Sequence, residues 1–191
     1  MLRLKLLFKI AMTDFMPNEP KLLIRAEQDT DIKAIEQLTI TAFQSAEHTS
    51  HTEHLIVNAL RQADQLTVSL VAELSPQRIV GHIAISPVTL SNNENGWYGL
   101  APVSVLPEMQ GQGIGKTLVN TALEQLRMLG AKGCVVLGDP NYYQQFGFIA
   151  HPELSLAGVP AEYFQALSFS GEIPTATVRY HDAFNVTDSS I

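Results

Sequence analysis

The chemistry-bearing stretch of this chain is the run Val103-Ser104-Val105-Leu106-Pro107-Glu108-Met109-Gln110-Gly111-Gln112-Gly113-Ile114-Gly115-Lys116-Thr117-Leu118. Its pattern predicts a strand, a glycine-rich loop and the start of an amphipathic helix. Glycines admit positive φ and let a ligand approach the backbone closely. The helix start adds unpaired N–H groups and a partial positive charge. Together these make a cradle for a phosphate or pyrophosphate; a tight turn alone does not need three glycines in five residues. A P-loop requires glycine, four residues, then Gly-Lys-Thr. Gly115-Lys116-Thr117 supplies that ending, but Gln110 stands where the first glycine belongs. The dinucleotide pattern G-x-G-x-x-G also fails, because Lys116 or Leu118 falls at its last position.

The pattern that fits is Q/R-x-x-G-x-G/A, here Gln110 to Gly115. With the strand before it and Lys116-Thr117-Leu118 after it, it resembles the acetyl-CoA loop of the GNAT N-acetyltransferase superfamily. Tyr142-Tyr143-Gln144-Gln145-Phe146-Gly147-Phe148 resembles the family's F/Y-Y-x-x-x-G-F segment, at a distance that leaves room for one helix and one strand. The likeness runs from about Leu22 to Ala150. The ending Val178 to Phe184 resembles a bacterial branch whose substrates are mostly unassigned. The resemblance implies an α+β fold with a mixed, largely antiparallel central sheet of six or seven strands and helices on both faces. Within it, a splayed pair of parallel strands forms the CoA cleft.

The implied reaction is direct attack of a primary amine, on a small molecule or a peptide, at the thioester of acetyl-CoA, the co-substrate. No Ser or Cys nucleophile is required, and there is no G-x-S-x-G elbow or Cys-His pattern. Backbone groups of a bulge at Val103, Ser104 and Val105 would hold the pantetheine arm and polarise the carbonyl. Gln110, Gly111, Gln112, Gly113, Ile114, Gly115 and Lys116 would hold the pyrophosphate. Tyr143 takes the place of the acid that protonates the departing thiolate, with Tyr142 packing beside it. Asn141 is a further CoA contact, on a segment shorter than the usual family version. Two other readings compete: a non-catalytic acyl-CoA sensor on the same fold, and a small NTPase.

Candidates for the acceptor side and its base are Glu73, His82 and Asp139, or a held water. Each has a plainer role. His82 alternates with Val80 and Ala84 as a core residue does, Glu73 sits at a strand end, and Asp139-Pro140-Asn141 is an ordinary turn and cap. His48, His51 and His54 recur beside Glu47 and Glu53 and could ligate zinc, though a solvated helix start explains them. Glu53 is a candidate contact for a cationic acceptor.

These residues need elements to position them. Leu22 to Ala26 reads as a strand, and Asp29 or Thr30 as the cap of a helix bearing Ile32, Ile35, Leu38, Ala42 and Phe43. A second helix covers Glu53 to Gln62, with Leu55, Ile56, Ala59 and Leu60 inward. Leu66 to Leu74 and Arg78 to Leu90 read as strands joined by a turn at Ser75-Pro76-Gln77. Ser91 to Gly96 loops into a strand from Trp97 to Leu106, where Pro102 marks a bulge or an edge. The glycine loop feeds a helix striped by Leu118, Val119, Ala122, Leu123, Leu126 and Leu129, stopped by Gly130. Gly133 to Leu137 is a buried strand, Pro140 to Phe146 a brief helix, and Phe148 to Phe184 adds two or three irregular strands.

At 191 residues, with 46% apolar and 16% charged side chains, the chain has material for one folded domain. We assign that domain to residues 21–184, with tails at 1–20 and 185–191; Met12 or Met16 is an alternative start. The net charge of −7 disfavours nucleic acid as a partner. The lone Cys134 sits in an apolar run and fits a reducing compartment. No stretch approaches the ~20 apolar residues of a membrane span, and Met1 to Ile10 lacks the unbroken core of a signal peptide. The expectation is a cytoplasmic monomer or homodimer.

Overall fold

The computed structural model describes residues 21–187 except 45, 47, 48, 76 and 77. The readings on the N-terminal tail, on His48 and Glu47, on Pro76-Gln77 and on residues 188–191 lie outside the described residues. In chain order the elements are β1 (Leu23–Ala26), α1 (Ile32–Phe43), α2 (Glu53–Gln62), β2 (Val68–Ser75), β3 (Arg78–Pro87), β4 (Thr89–Leu90) and β5 (Trp97–Val105). They continue with α3 (Ile114–Met128), β6 (Gly133–Leu137), α4 (Pro140–Tyr143), β7 (Leu154–Leu156), β8 (Phe164–Ser168) and β9 (Ala176–Arg179).

Six strands form one sheet in the order β1-β2-β3-β5-β6-β8, and β4-β9-β7 form a second. In the large sheet only β5 and β6 run parallel. Side chains alternate between its faces, so each face takes its own helices. Leu70, Ala72, Ile83 and Ile85 pack with Ile114, Leu118, Ala122 and Leu126 of α3. Val71 and Ala84, on the opposite face, pack with Ile35, Leu38 and Val57 of α1 and α2. Each Leu, Ile or Val among them contributes about 1.5–3 kcal/mol when fully buried. This is the mixed sheet with helices on both faces that the sequence led us to expect.

The details differ where partners are distant in sequence. The expected strand Arg78 to Leu90 is two: β3 ends at Pro87, and β4 leaves to pair with β9. Pro102 lies in the middle of the sheet and not at an edge, and the bulge is there. Ile83 pairs with Val103 and Ile85 with Leu100, so Ala101 and Pro102 together oppose Ala84. The Ala101–Pro102 peptide is cis. On α2, Val57 joins the core where Ile56 and Ala59 were expected; those two are half-buried. Leu129 is 61% exposed because it falls just past the end of α3. Gly130 follows in the left-handed region (φ 74°) and closes that helix. A short 3-10 turn, Asp29–Asp31, leads into α1 and is capped by Gln28, whose N–H donates to Asp31 Oδ2 at 2.8 Å; the residue at the N-cap of α1 itself is Asp31, and not Asp29 or Thr30. Among the described residues no helix is long and apolar enough to cross a membrane.

Candidate active site

The bulge in β5 coincides with a parting of strands. β5 and β6 pair from Trp97–Gly133 to Leu100–Val136, and beyond that β5 continues without a rung to β6. Past the bulge, Val103 and Val105 face a cleft of about 460 Å³. Ser104 points the other way: it is 1% exposed, and its Oγ donates to Thr39 Oγ1 at 3.3 Å. Only the backbone of Ser104 is therefore available on the cleft side. The side chain of Gln110 donates to the Val105 carbonyl at 3.1 Å, which ties the loop to the bulged strand.

The loop then turns through two left-handed glycines, Gly111 at φ 74° and Gly113 at φ 81°. A Cβ at either would meet nothing within 4 Å, so the space beside both is open. The first bond of α3 runs from Thr117 N to Gly113 O at 2.9 Å. The N–H groups of Ile114, Gly115 and Lys116 precede that ladder and bring the positive end of the helix dipole to the cleft. Gln110, Gly111, Gly113, Ile114, Gly115 and Lys116 all line it. Gln112 does not; its amide donates to Glu108 O at 3.3 Å. Lys116 is the one cation among the described lining residues, which makes the cleft suited to an anionic, phosphate-bearing ligand.

The far wall is Tyr142 and Tyr143. Tyr142 reaches over the helix start, where its hydroxyl would lie 3.0 Å from a Cβ on Gly115. Tyr143 packs edge-on against Phe148 and Tyr142. Burial raises its hydroxyl well above the ordinary tyrosine value, and neighbouring Tyr142 and Cys134 push it further the same way. The phenol is thus a proton donor and not a phenolate at neutral pH. Cys134, fully buried, has its thiol raised for the same reason and is inert packing. Two of the lining residues, Met109 and Gln145, escaped the sequence reading. So did Gly138, against which the Tyr143 ring rests. A glycine closing an apolar strand is a known sign of close approach and was the available signal.

The other candidates lie apart from this cleft. Asn141 donates through both its backbone N and side-chain Nδ2 to Asp139 Oδ1, at 2.9 and 3.1 Å, so the pair caps α4 and neither lines the cleft. Glu73 holds Arg25 at 2.6 Å. Glu53 Oε1 accepts from Thr49 Oγ1 at 2.6 Å and from Ser50 N at 3.2 Å, bracing the start of α2. It shares a small cavity of about 270 Å³ with His51 and His54. His82 is a core residue, 0% exposed. Ser69 Oγ donates to Glu27 Oε2, which leaves Ser69 Oγ itself to accept from His82 Nε2, 2.8 Å away. Glu27 in turn binds Arg61 at 2.8 Å. Burial lowers the His82 pKa, against the opposing pull of Glu27, and keeps the ring neutral. Sealed in this network, His82 has no path to a substrate.

Residues 32–148 match the family model described as acetyltransferase (GNAT) family. The chain is 34% identical over 170 residues to the uncharacterized N-acetyltransferase YhbS of Escherichia coli (strain K12), covering 86% of this chain and 99% of that protein. Among solved structures, a GNAT family acetyltransferase from Brucella melitensis in complex with acetyl-CoA is 47% identical, with a TM-score of 0.77 over 86% of this chain and 99% of that one. Escherichia coli YhbS in complex with CoA superposes with a TM-score of 0.79 at 32% identity, over 87% of this chain and 93% of that one.

Proposed function

The chain belongs to the GNAT acetyltransferase family, and from that premise we propose that it transfers the acetyl group of acetyl-CoA to a primary amine. The observation that carries this reading is the arrangement of one cleft. It brings the helix N-terminus and glycine loop to one end, the bulged strand to its floor and Tyr143 to its far wall. The Brucella melitensis and Escherichia coli structures, which hold acetyl-CoA and CoA, support the same donor here.

When bound, acetyl-CoA supplies an activated carbonyl. The N–H groups from Gly111 to Lys116, with the Lys116 ammonium, bind and neutralise the pyrophosphate. The backbone of Val103 to Val105, freed from pairing by the bulge, orients the pantetheine arm and the carbonyl. Tyr143 holds its proton and delivers it to the departing sulfur, a role that contributes typically 10²–10⁴-fold. The described lining of the CoA cleft carries no carboxylate or imidazole, so no side chain of that cleft takes the amine's proton.

Titration of CoA into the protein, followed by an amine panel scored for free CoA release, tests this reading. We expect micromolar CoA binding and turnover with at least one amine class. CoA binding with no release over hydrolysis for any amine would leave only a sensor.

A further inference from the structure

Outside the CoA cleft, the described residues enclose a second cavity of about 650 Å³, within the range of small-molecule sites. Its lining includes Ala101 of β5 and Leu137 of β6. These are the residues immediately after Leu100 and Val136, the last paired rung of the two strands. Val103, two residues on from Ala101, faces the CoA cleft. The two cavities therefore flank the same parting of β5 and β6, where an acetyl group and its acceptor have to meet.

The walls are mostly apolar, with Arg179, His181, Asp182 and Asn185 as their polar members. Ile56, a half-buried residue of α2 outside its buried set, faces this cavity together with Leu156, Val159 and Phe184. Tyr180 and Phe184 stand side by side there, with ring centroids 4.6 Å apart. Tyr180 is anchored because its ring rests on Gly99 of β5, where a Cβ would fall 2.4 Å from it. The one carboxylate among the described lining residues, Asp182, is 78% exposed and lies 3.7 Å from Arg179. The interior thus offers large apolar and aromatic area, and no buried anion for a second positive charge.

We propose that this cavity is the acceptor pocket and that it selects a small monoamine with an aliphatic or aromatic body, in preference to a polyamine. The proposal rests on the amine-acetylation reading and supplies its substrate class. Burial of the apolar body provides the binding energy, about 25 cal/mol per Å² removed from water. A second ammonium would be stripped of water without a partner, which is strongly unfavourable. The cavity holding Glu53, His51 and His54, the place a cation would favour, is smaller and is walled by Thr39, Ile40 and Phe43 of α1, without Ala101 or Leu137.

The test is calorimetric titration of 2-phenylethylamine and of spermidine into the protein, with and without saturating CoA. We expect 2-phenylethylamine to bind at least about tenfold more tightly than spermidine, a difference of about 1.4 kcal/mol. Ala157 is an exposed loop position on the cavity wall, so Ala157→Trp fills the space without touching the core. That variant, and separately Ile56→Gln, should each weaken 2-phenylethylamine at least about tenfold while CoA affinity stays unchanged. Glu53→Gln should have no effect on it. Absent 2-phenylethylamine binding, tighter spermidine binding, or indifference to both cavity variants overturns the proposal. A failure of the donor reading appears separately, as absent CoA binding in the protein without amine.

Discussion

The ring of Tyr143 occupies the space that a side chain on Gly138 would fill: a Cβ built there lies 2.4 Å from Tyr143 Cε2. Gly138 has no positive φ to justify it, so its lack of a side chain serves the tyrosine alone. Gly138 N donates to Tyr163 O at 2.9 Å and its carbonyl accepts from Gln165 Nε2 at 3.1 Å, which fixes the backbone against retreat. A methyl group at this position must therefore move the ring.

Gly138→Ala should lower kcat nearly as far as Tyr143→Phe, with an overpacking cost of about 1–3 kcal/mol in stability. The double variant should be little worse than either single one, since both act through one hydroxyl. Steady-state kinetics on the four proteins checks this; fully additive losses would separate Gly138 from Tyr143.

At Gly113 the open space and the φ of 81° divide two effects. Gly113→Ala should cost about 1–2 kcal/mol of stability from the left-handed backbone. Gly113→Val should additionally raise the CoA dissociation constant at least about tenfold, because its side chain projects where the pyrophosphate would lie. Unchanged CoA affinity in folded Gly113→Val would remove the pyrophosphate from this loop.

The parts of the site that could be read in the sequence are those encoded locally. Gly111, Gly113 and the helix start declare themselves because positive φ and a free N-terminus depend on neighbouring residues only. The α3 stripe from Leu118 to Leu126 is likewise a property of one helix, and all of it is buried. What stayed hidden depends on pairing across the chain. β4 departs from β3 because its partner, Val178–Arg179, lies far down the sequence. His82 looked like a core histidine from its alternation, but the groups that hold it, Ser69, Glu27 and Arg61, come from three other places. Ile56 has the same helical spacing as the core residues of α2, and only the fold turns it toward a cavity.

Tyr143 sets the alkaline behaviour. Its ordinary pKa is 10.0, and burial raises it further, so it keeps its proton, and its capacity to donate, throughout the range below pH 10. Wild-type kcat should show no decline from loss of this acid up to that pH. Tyr143→Phe should lower kcat about 10²-fold with little change in CoA affinity. A wild-type decline below pH 10 that vanishes in Tyr143→Phe would contradict the raised value.

Acid stability should depend on the network beneath α1. His82 is held neutral by burial, with its pKa below the ordinary 6.5, so the unfolded chain binds the proton that the folded chain refuses. Stability therefore falls as pH drops below about 6.5. Glu27 behaves in the complementary range. Burial would raise its pKa, but hydrogen bonds from His82, Arg61 and Ser69 outweigh that and hold it well below its ordinary 4.5. Its stabilisation is complete above that value and is lost as pH falls further. The melting temperature should thus decline first between pH 6.5 and 5, then more steeply below 4.5. His82→Gln should start lower, since it disturbs buried hydrogen bonds worth about 1–3 kcal/mol, yet remain level between pH 6.5 and 5. Thermal melts across pH 4 to 8 decide the matter: a His82→Gln melting temperature that falls as steeply as wild type in that upper window assigns the acid sensitivity to other groups.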